Sequence, residues 1–164
     1  MLKPLTKLPI FTQSCQVLPI FAYLCYEWSM RTYRILILED DIKTLSKLMD
    51  RLYLLEEKLV KEGKDLAITV LSEYTQVEDY INRTDKITFD VILLDRDCKA
   101  GGSFHVLDID KFGKDKIIGI SSTPPYNEEL RQKGITKIIH KDFANLDNFS
   151  DKVSDTIEQL IKLV

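Results

Sequence analysis

An open, doubly wound α/β sheet of five parallel strands is the fold the sequence predicts, and three observations predict it. From Arg34 onward, short β-branched apolar runs alternate with stretches of helical periodicity, the pattern of successive βα units. Val91 to Leu94 is apolar without interruption, as expected of a strand covered on both faces. The runs also end abruptly in charged or hydroxyl residues, and open α/β sheets keep their ligand sites at the carboxyl ends of their strands.

The elements follow in order. Arg34 to Leu38 reads as the first strand. A long amphipathic helix comes next, with Ile42, Leu45, Leu48, Leu52, Leu55 and Leu59 at three- and four-residue steps and a stop near Gly63. Leu66 to Leu71 reads as the second strand. Thr75-Gln-Val-Glu78 has the pattern of a capping box and opens a short helix through Tyr80 and Ile81. Phe89 to Leu94 is the third strand. After Gly101 and Gly102, Ser103 can cap a short helix, and Lys116 to Ile120 is the fourth strand. Pro124 and Pro125 suit a first helical turn, Glu128 and Glu129 favour its positive end, and Gly134 can stop it. Ile135 to Ile139 is the fifth strand. A last helix carries Phe149, Val153, Ile157, Leu160 and Val164 on one stripe.

Bulk composition narrows the function classes. The chain has 164 residues, enough for one domain with a proper core and too few for two ordinary ones. It is 45% hydrophobic and 30% charged, so globular, and its formal net charge of -3 supplies no general basic field for nucleic acid. Cys15, Cys25 and Cys98 form neither a CxxC nor a Cys/His ligand spacing, which points away from zinc and disulfides and toward a reducing cytoplasm. Residues 1–30 differ in texture. Leu8 to Tyr26 lacks charge and is interrupted by Pro9 and Pro19, so the segment reads as an extension: a weak anchor, a poor signal peptide, or sequence upstream of a start at Met30. The domain proper is expected over residues 31–164, outside a membrane.

Chemistry concentrates at the strand ends. The first strand ends in Glu39, Asp40 and Asp41. The third ends in Asp95, with Asp97 just beyond. The fourth ends in Ser121 and Ser122, the fifth in His140 and Lys141. Any one of these has an ordinary structural use; Asp41, for example, could simply cap the first helix. Together, carboxylates from two adjacent strands repel one another unless a cation shares the site. Few, hard oxygen ligands with space for water suit Mg²⁺. A carboxylate flanked by Mg²⁺ and a lysine is set up as a nucleophile toward phosphorus, because both cations neutralise charge on a transferring phosphoryl group.

The ordered set ILILEDD, DVILLD, IIGISS and IIHKDF, on the first, third, fourth and fifth strands, resembles the receiver domain of two-component response regulators. The resemblance covers Arg34 to Val164. It implies a flavodoxin-like sheet of order 2-1-3-4-5 and a single-domain, cytoplasmic response regulator. Asp95 matches the phosphoacceptor, and Glu39 and Asp40 the acidic pair that holds Mg²⁺ with Asp95. Asp97 matches the position whose main-chain carbonyl also binds the metal. Ser121 and Lys141 match the hydroxyl and lysine that bind the phosphoryl group, and Ile138 falls at the switch position. The implied partners are a histidine kinase or phosphotransfer protein and an unidentified downstream protein; a homodimer stays open, and direct nucleic-acid binding is not expected.

The chain departs from the family in three places. Asp142 follows Lys141 where a proline is usual, Cys98 and Lys99 replace a methionine-proline pair, and Ile138 replaces an aromatic residue. Two alternatives therefore remain: a receiver fold working as a phosphorylation-independent binding module, and a Mg²⁺-dependent phosphatase similar to the haloacid dehalogenases, in which the DxD of Asp95 and Asp97 would supply nucleophile and general acid/base. The order of motifs argues against the phosphatase, whose DxD usually lies on the first strand. His105, His140 and Cys98 read as packing or surface residues.

Overall fold

The structure is a computed structural model that describes residues 30–163. The expectation for the N-terminal extension therefore lies outside the described residues, apart from Met30, as does the place of Val164 on the last stripe. Five parallel strands form one sheet: β1 (Arg31–Leu38), β2 (Lys64–Leu71), β3 (Val91–Leu94), β4 (Ile117–Ser121) and β5 (Lys137–His140), in the order β2-β1-β3-β4-β5. The fold is thus α/β, with the strand order expected, and the direction in which successive strands are added to the sheet reverses between β1 and β3.

Period-two alternation decides which layer each strand residue joins. Tyr33, Ile35 and Ile37 of β1, Val91 and Leu93 of β3, and Ile118 and Ile120 of β4 face one side. There they meet α1 (Ile42–Val60), through Leu48, Leu52, Leu55 and Leu59, and α5 (Leu146–Leu163), through Phe149, Val153, Ile157 and Leu160. Leu36, Leu38, Ile92, Leu94 and Ile117 face the other side. That layer is built from short pieces: α2 (Tyr74–Gln76) running into a π-helical turn (Val77–Asn82), a 3₁₀ turn (Phe104–Val106), α3 (Ile109–Phe112) and α4 (Pro124–Gln132). Gly119 lets α4 approach closely, because a Cβ there would sit 2.6 Å from Leu130 Cδ1 and 2.8 Å from Ile138 Cδ1.

Several element boundaries differ from those the sequence predicts. β1 starts at Arg31 rather than Arg34, because Arg31–Tyr33 find partners in Lys64–Leu66. β3 starts at Val91: Asp90 Oδ2 accepts the Arg34 N–H at 2.8 Å, so a side chain takes a place in the ladder. β5 starts at Lys137 and not Ile135, whose buried side chain belongs to the turn out of α4. Thr75 is not a helix cap. The helix begins at Tyr74, which packs against the second core layer, and Glu73 precedes it without a side-chain cap. Glu128 and Glu129 fall past the first turn of α4, which the two prolines open as expected. Ile42 is 79% exposed, because Asp41 caps α1 and turns that first residue outward.

Candidate functional site

The carboxyl ends of β1, β3, β4 and β5 converge on a cavity of about 230 Å³ lined by Glu39, Asp40, Asp95, Ser121, Lys141 and Phe143, among others. Parallel strands in register make this automatic. Leu38 pairs with Leu94, and Ser121 with His140, so the residue that follows or ends each run arrives at one edge. Backbone bonds carry the alignment one step past the strands: Asp95 N–H donates to Leu38 O at 3.1 Å and Lys141 N–H to Ser121 O at 3.1 Å.

Lys141 is the centre of the arrangement. Its Nζ donates to Asp95 Oδ2 at 2.5 Å and to Glu39 Oε2 at 2.7 Å, and its side chain is only 4% exposed. Burial works against its charge, but the Glu39 and Asp95 carboxylates outweigh that and hold the ammonium above the usual lysine range. Burial pushes the Glu39 carboxyl up, with Lys141 pulling the other way and Asp95 adding to the rise. Burial likewise raises Asp95 against the pull of Lys141 and of the Arg96 N–H, which donates to Asp95 Oδ1 at 2.8 Å. One cation thus serves two buried acids, and the cluster still prefers another positive charge.

Glu39 is wholly buried and faces inward. Its Oε1 accepts the N–H groups of Asp40 (3.1 Å) and Asp41 (2.9 Å), while Oε2 is held by Lys141. Among the described residues, no three His, Cys, Asp or Glu side chains converge as a metal cage. Of the expected ligands, Glu39, Asp40, Asp95 and Asp97 all line the cavity. Both Glu39 oxygens are already taken by hydrogen bonds, which leaves Asp40 and Asp95 as the carboxylates that fit a hard divalent cation, with the Asp97 carbonyl and water as the oxygens that would complete its shell. The Asp97 carboxylate is itself turned to Arg96, 2.8 Å from Nη1. Ser121 is 3% exposed and its Oγ accepts the Thr123 N–H at 3.2 Å, leaving the hydroxyl proton to donate. Ile138 stays out of the cavity; it pairs with Gly119 and packs beside Leu130, half-buried.

Three residues to which the sequence assigned no role at the site complete it. Lys99 reaches back from the loop after β3 to Asp40 and Asp41. Asn127 of α4 donates to Ser121 O at 3.1 Å and so ties the helix to the end of β4. Arg96 stacks 3.7 Å over the Tyr126 ring and lies 3.4 Å from Glu129, linking the residue after Asp95 to α4. Spacing could not reveal the Lys99 and Arg96 contacts, which join segments far apart in the chain; Asn127 is only six residues from Ser121, but no motif marks it. Gly102 gives the same loop its shape: its φ is 80° and a Cβ would sit 2.4 Å from the Tyr74 ring.

Against known proteins, the chain matches no protein-family model and no curated protein. The fold and the strand-end geometry therefore carry the functional reading. Among the described residues, no helix is long and apolar enough to cross a membrane.

Proposed function

We propose that this protein is a receiver-type phosphoacceptor. Asp95 takes a phosphoryl group from a phosphohistidine on a histidine kinase or phosphotransfer protein, and the protein signals through altered contacts on the face of β4, β5 and α4. The observation that carries this reading is the buried Lys141 bridge to Asp95 and Glu39, facing Ser121 across the same cavity. In the transfer, an Asp95 carboxylate oxygen attacks phosphorus, the phosphorus–nitrogen bond breaks, and the imidazole leaves with the bonding pair and takes up a proton. Lys141 and the Ser121 hydroxyl are the groups on this chain that would meet the oxygens of the transferred group. Asp40, Asp95 and the Asp97 carbonyl would hold Mg²⁺, which when bound neutralises charge on those oxygens.

Burial of Asp95 restricts access to a slender donor, in keeping with an acceptor of one phosphoryl group rather than a hydrolase with an enclosed substrate pocket. The Arg96 pairing of the Asp97 carboxylate also weakens the phosphatase alternative, which needs that acid at the reacting atom.

Incubation with acetyl phosphate and Mg²⁺, followed by phosphate-affinity electrophoresis, tests the proposal. A retarded band is expected for the wild type and none for Asp95→Asn. No retarded band in the wild type, or one that persists in Asp95→Asn, overturns phosphotransfer to Asp95.

A further inference from the structure

The cavity holds a second ammonium group, and it is bound quite differently from the first. Lys99 Nζ donates to Asp41 Oδ1 at 3.0 Å and to the Asp40 carbonyl oxygen at 3.2 Å, and the Lys99 N–H donates to Asp40 Oδ2. One loop residue thereby grips two of the three acids after β1, Asp40 and Asp41, the first through the carboxylate that would bind a metal. Packing does not force it there, since its side chain is 64% exposed, whereas that of Lys141 is 4% exposed. The pull is electrostatic: the hydrogen bond to Asp41 and the nearby charges of Asp41, Asp40 and Glu39 all stabilise the ammonium. The site thus contains one fixed cation and one that water can replace.

We infer that Lys99 is a tethered cation that competes with divalent metal for the Asp40–Asp41 carboxylates and so sets the metal affinity of the site. The inference rests on the reading of Asp40 as a metal ligand. A divalent ion at Asp40 gains the same field that Lys99 now occupies, and two cations on one pair of acids repel each other. Binding of the metal therefore frees the Lys99 ammonium from Asp41 and from the Asp40 carbonyl oxygen, while Asp97 at the start of the same loop stays at the site. Metal occupancy is thereby coupled to a loop that lies directly beside Asp95.

Isothermal titration calorimetry with MgCl₂ and with MnCl₂, at one ionic strength, separates the possibilities for wild type, Lys99→Met and Lys99→Arg. Lys99→Met keeps the aliphatic stem and the backbone N–H but removes the charge. It is expected to bind both metals about 3- to 5-fold more tightly than wild type, the range an exposed ion pair can supply, with Lys99→Arg close to wild type. Circular dichroism is expected to show all three proteins folded, as befits an exposed loop position. Equal or weaker metal binding by Lys99→Met overturns the competition while leaving Asp40 as a ligand. Absence of binding in all three proteins overturns both the competition and the metal assignment beneath it, and retention of full binding in Asp40→Asn overturns the assignment of that ligand.

Discussion

Lys141 stands between two acids whose carboxyls burial pushes above their usual range, so its removal has a clear sign. Lys141→Met leaves Glu39 and Asp95 buried without a partner, and the expected loss at neutral pH is about 3–5 kcal/mol in urea denaturation. Both carboxyls are raised by burial, so protonation relieves the variant: its deficit against wild type shrinks as pH falls through the carboxylate range. A deficit that stays constant down to acid pH would contradict the charge account. The wild-type bridge behaves in the opposite sense at the alkaline end. Its stabilisation is present below the ordinary lysine pKa and is lost as pH rises through the higher folded value. His105 is a second residue with a pH signature. Its side chain is 7% exposed and neither ring nitrogen has a hydrogen-bond partner among the described residues. Burial, helped by Lys133 and opposed by Glu129, lowers its pKa to about 4, so the fold prefers the neutral ring. Stability from this preference is fully present above the ordinary histidine range and declines as pH falls toward 4. Between pH 7.5 and pH 5, the wild type is expected to lose about 2 kcal/mol more than His105→Phe. Equal losses would show that the imidazole does not titrate as its surroundings require.

At the scale of elements, the two layers on the sheet are unequal. α1 and α5 are long, carry clean apolar stripes, and are flanked by ion pairs between them, Lys47–Asp147 at 2.9 Å and Lys58–Glu158 at 2.6 Å. Exposed pairs of this kind add little stability, so the seam rests on its leucines and Phe149. The opposite layer is made of short helices, and β2 at the sheet edge leaves Ile68 and Val70 each 37% exposed. α4 is the element of that layer that touches the site, through Asn127, Tyr126 and Glu129, and Gly119 governs how closely it sits. Gly119→Ala is expected to cost about 1–3 kcal/mol through overpacking against Leu130 and Ile138. Because Asn127 ties α4 to Ser121, the same variant should shift the backbone NMR signals of Ser121 and Lys141; unchanged signals there would mean that α4 is not coupled to the site.

On the scale of the whole molecule, the parallel sheet turns sequence-distant residues into neighbours at one edge. Glu39 and Lys141 are separated by 102 positions yet share a 2.7 Å bond. Apolar runs and helical stripes were legible because burial on a sheet or against it imposes periods of two and 3.6 that survive in the order of residues. The strand-end acids, Ser121 and Lys141 were legible because each lies immediately at the end of such a run. The starts of β1 and β3 were not, since pairing with Lys64–Leu66 and the Asp90 side chain set them. By itself the sequence determined the α/β class, the five strands and the candidate residues, because hydrophobic periodicity is a local property. Only the tertiary structure decided that Glu39 turns inward to Lys141, that Arg96 stacks on Tyr126, and that Lys99 closes on Asp40 and Asp41. Those are matters of direction and distance, and a carboxylate's neighbours come from whichever segments packing brings beside it.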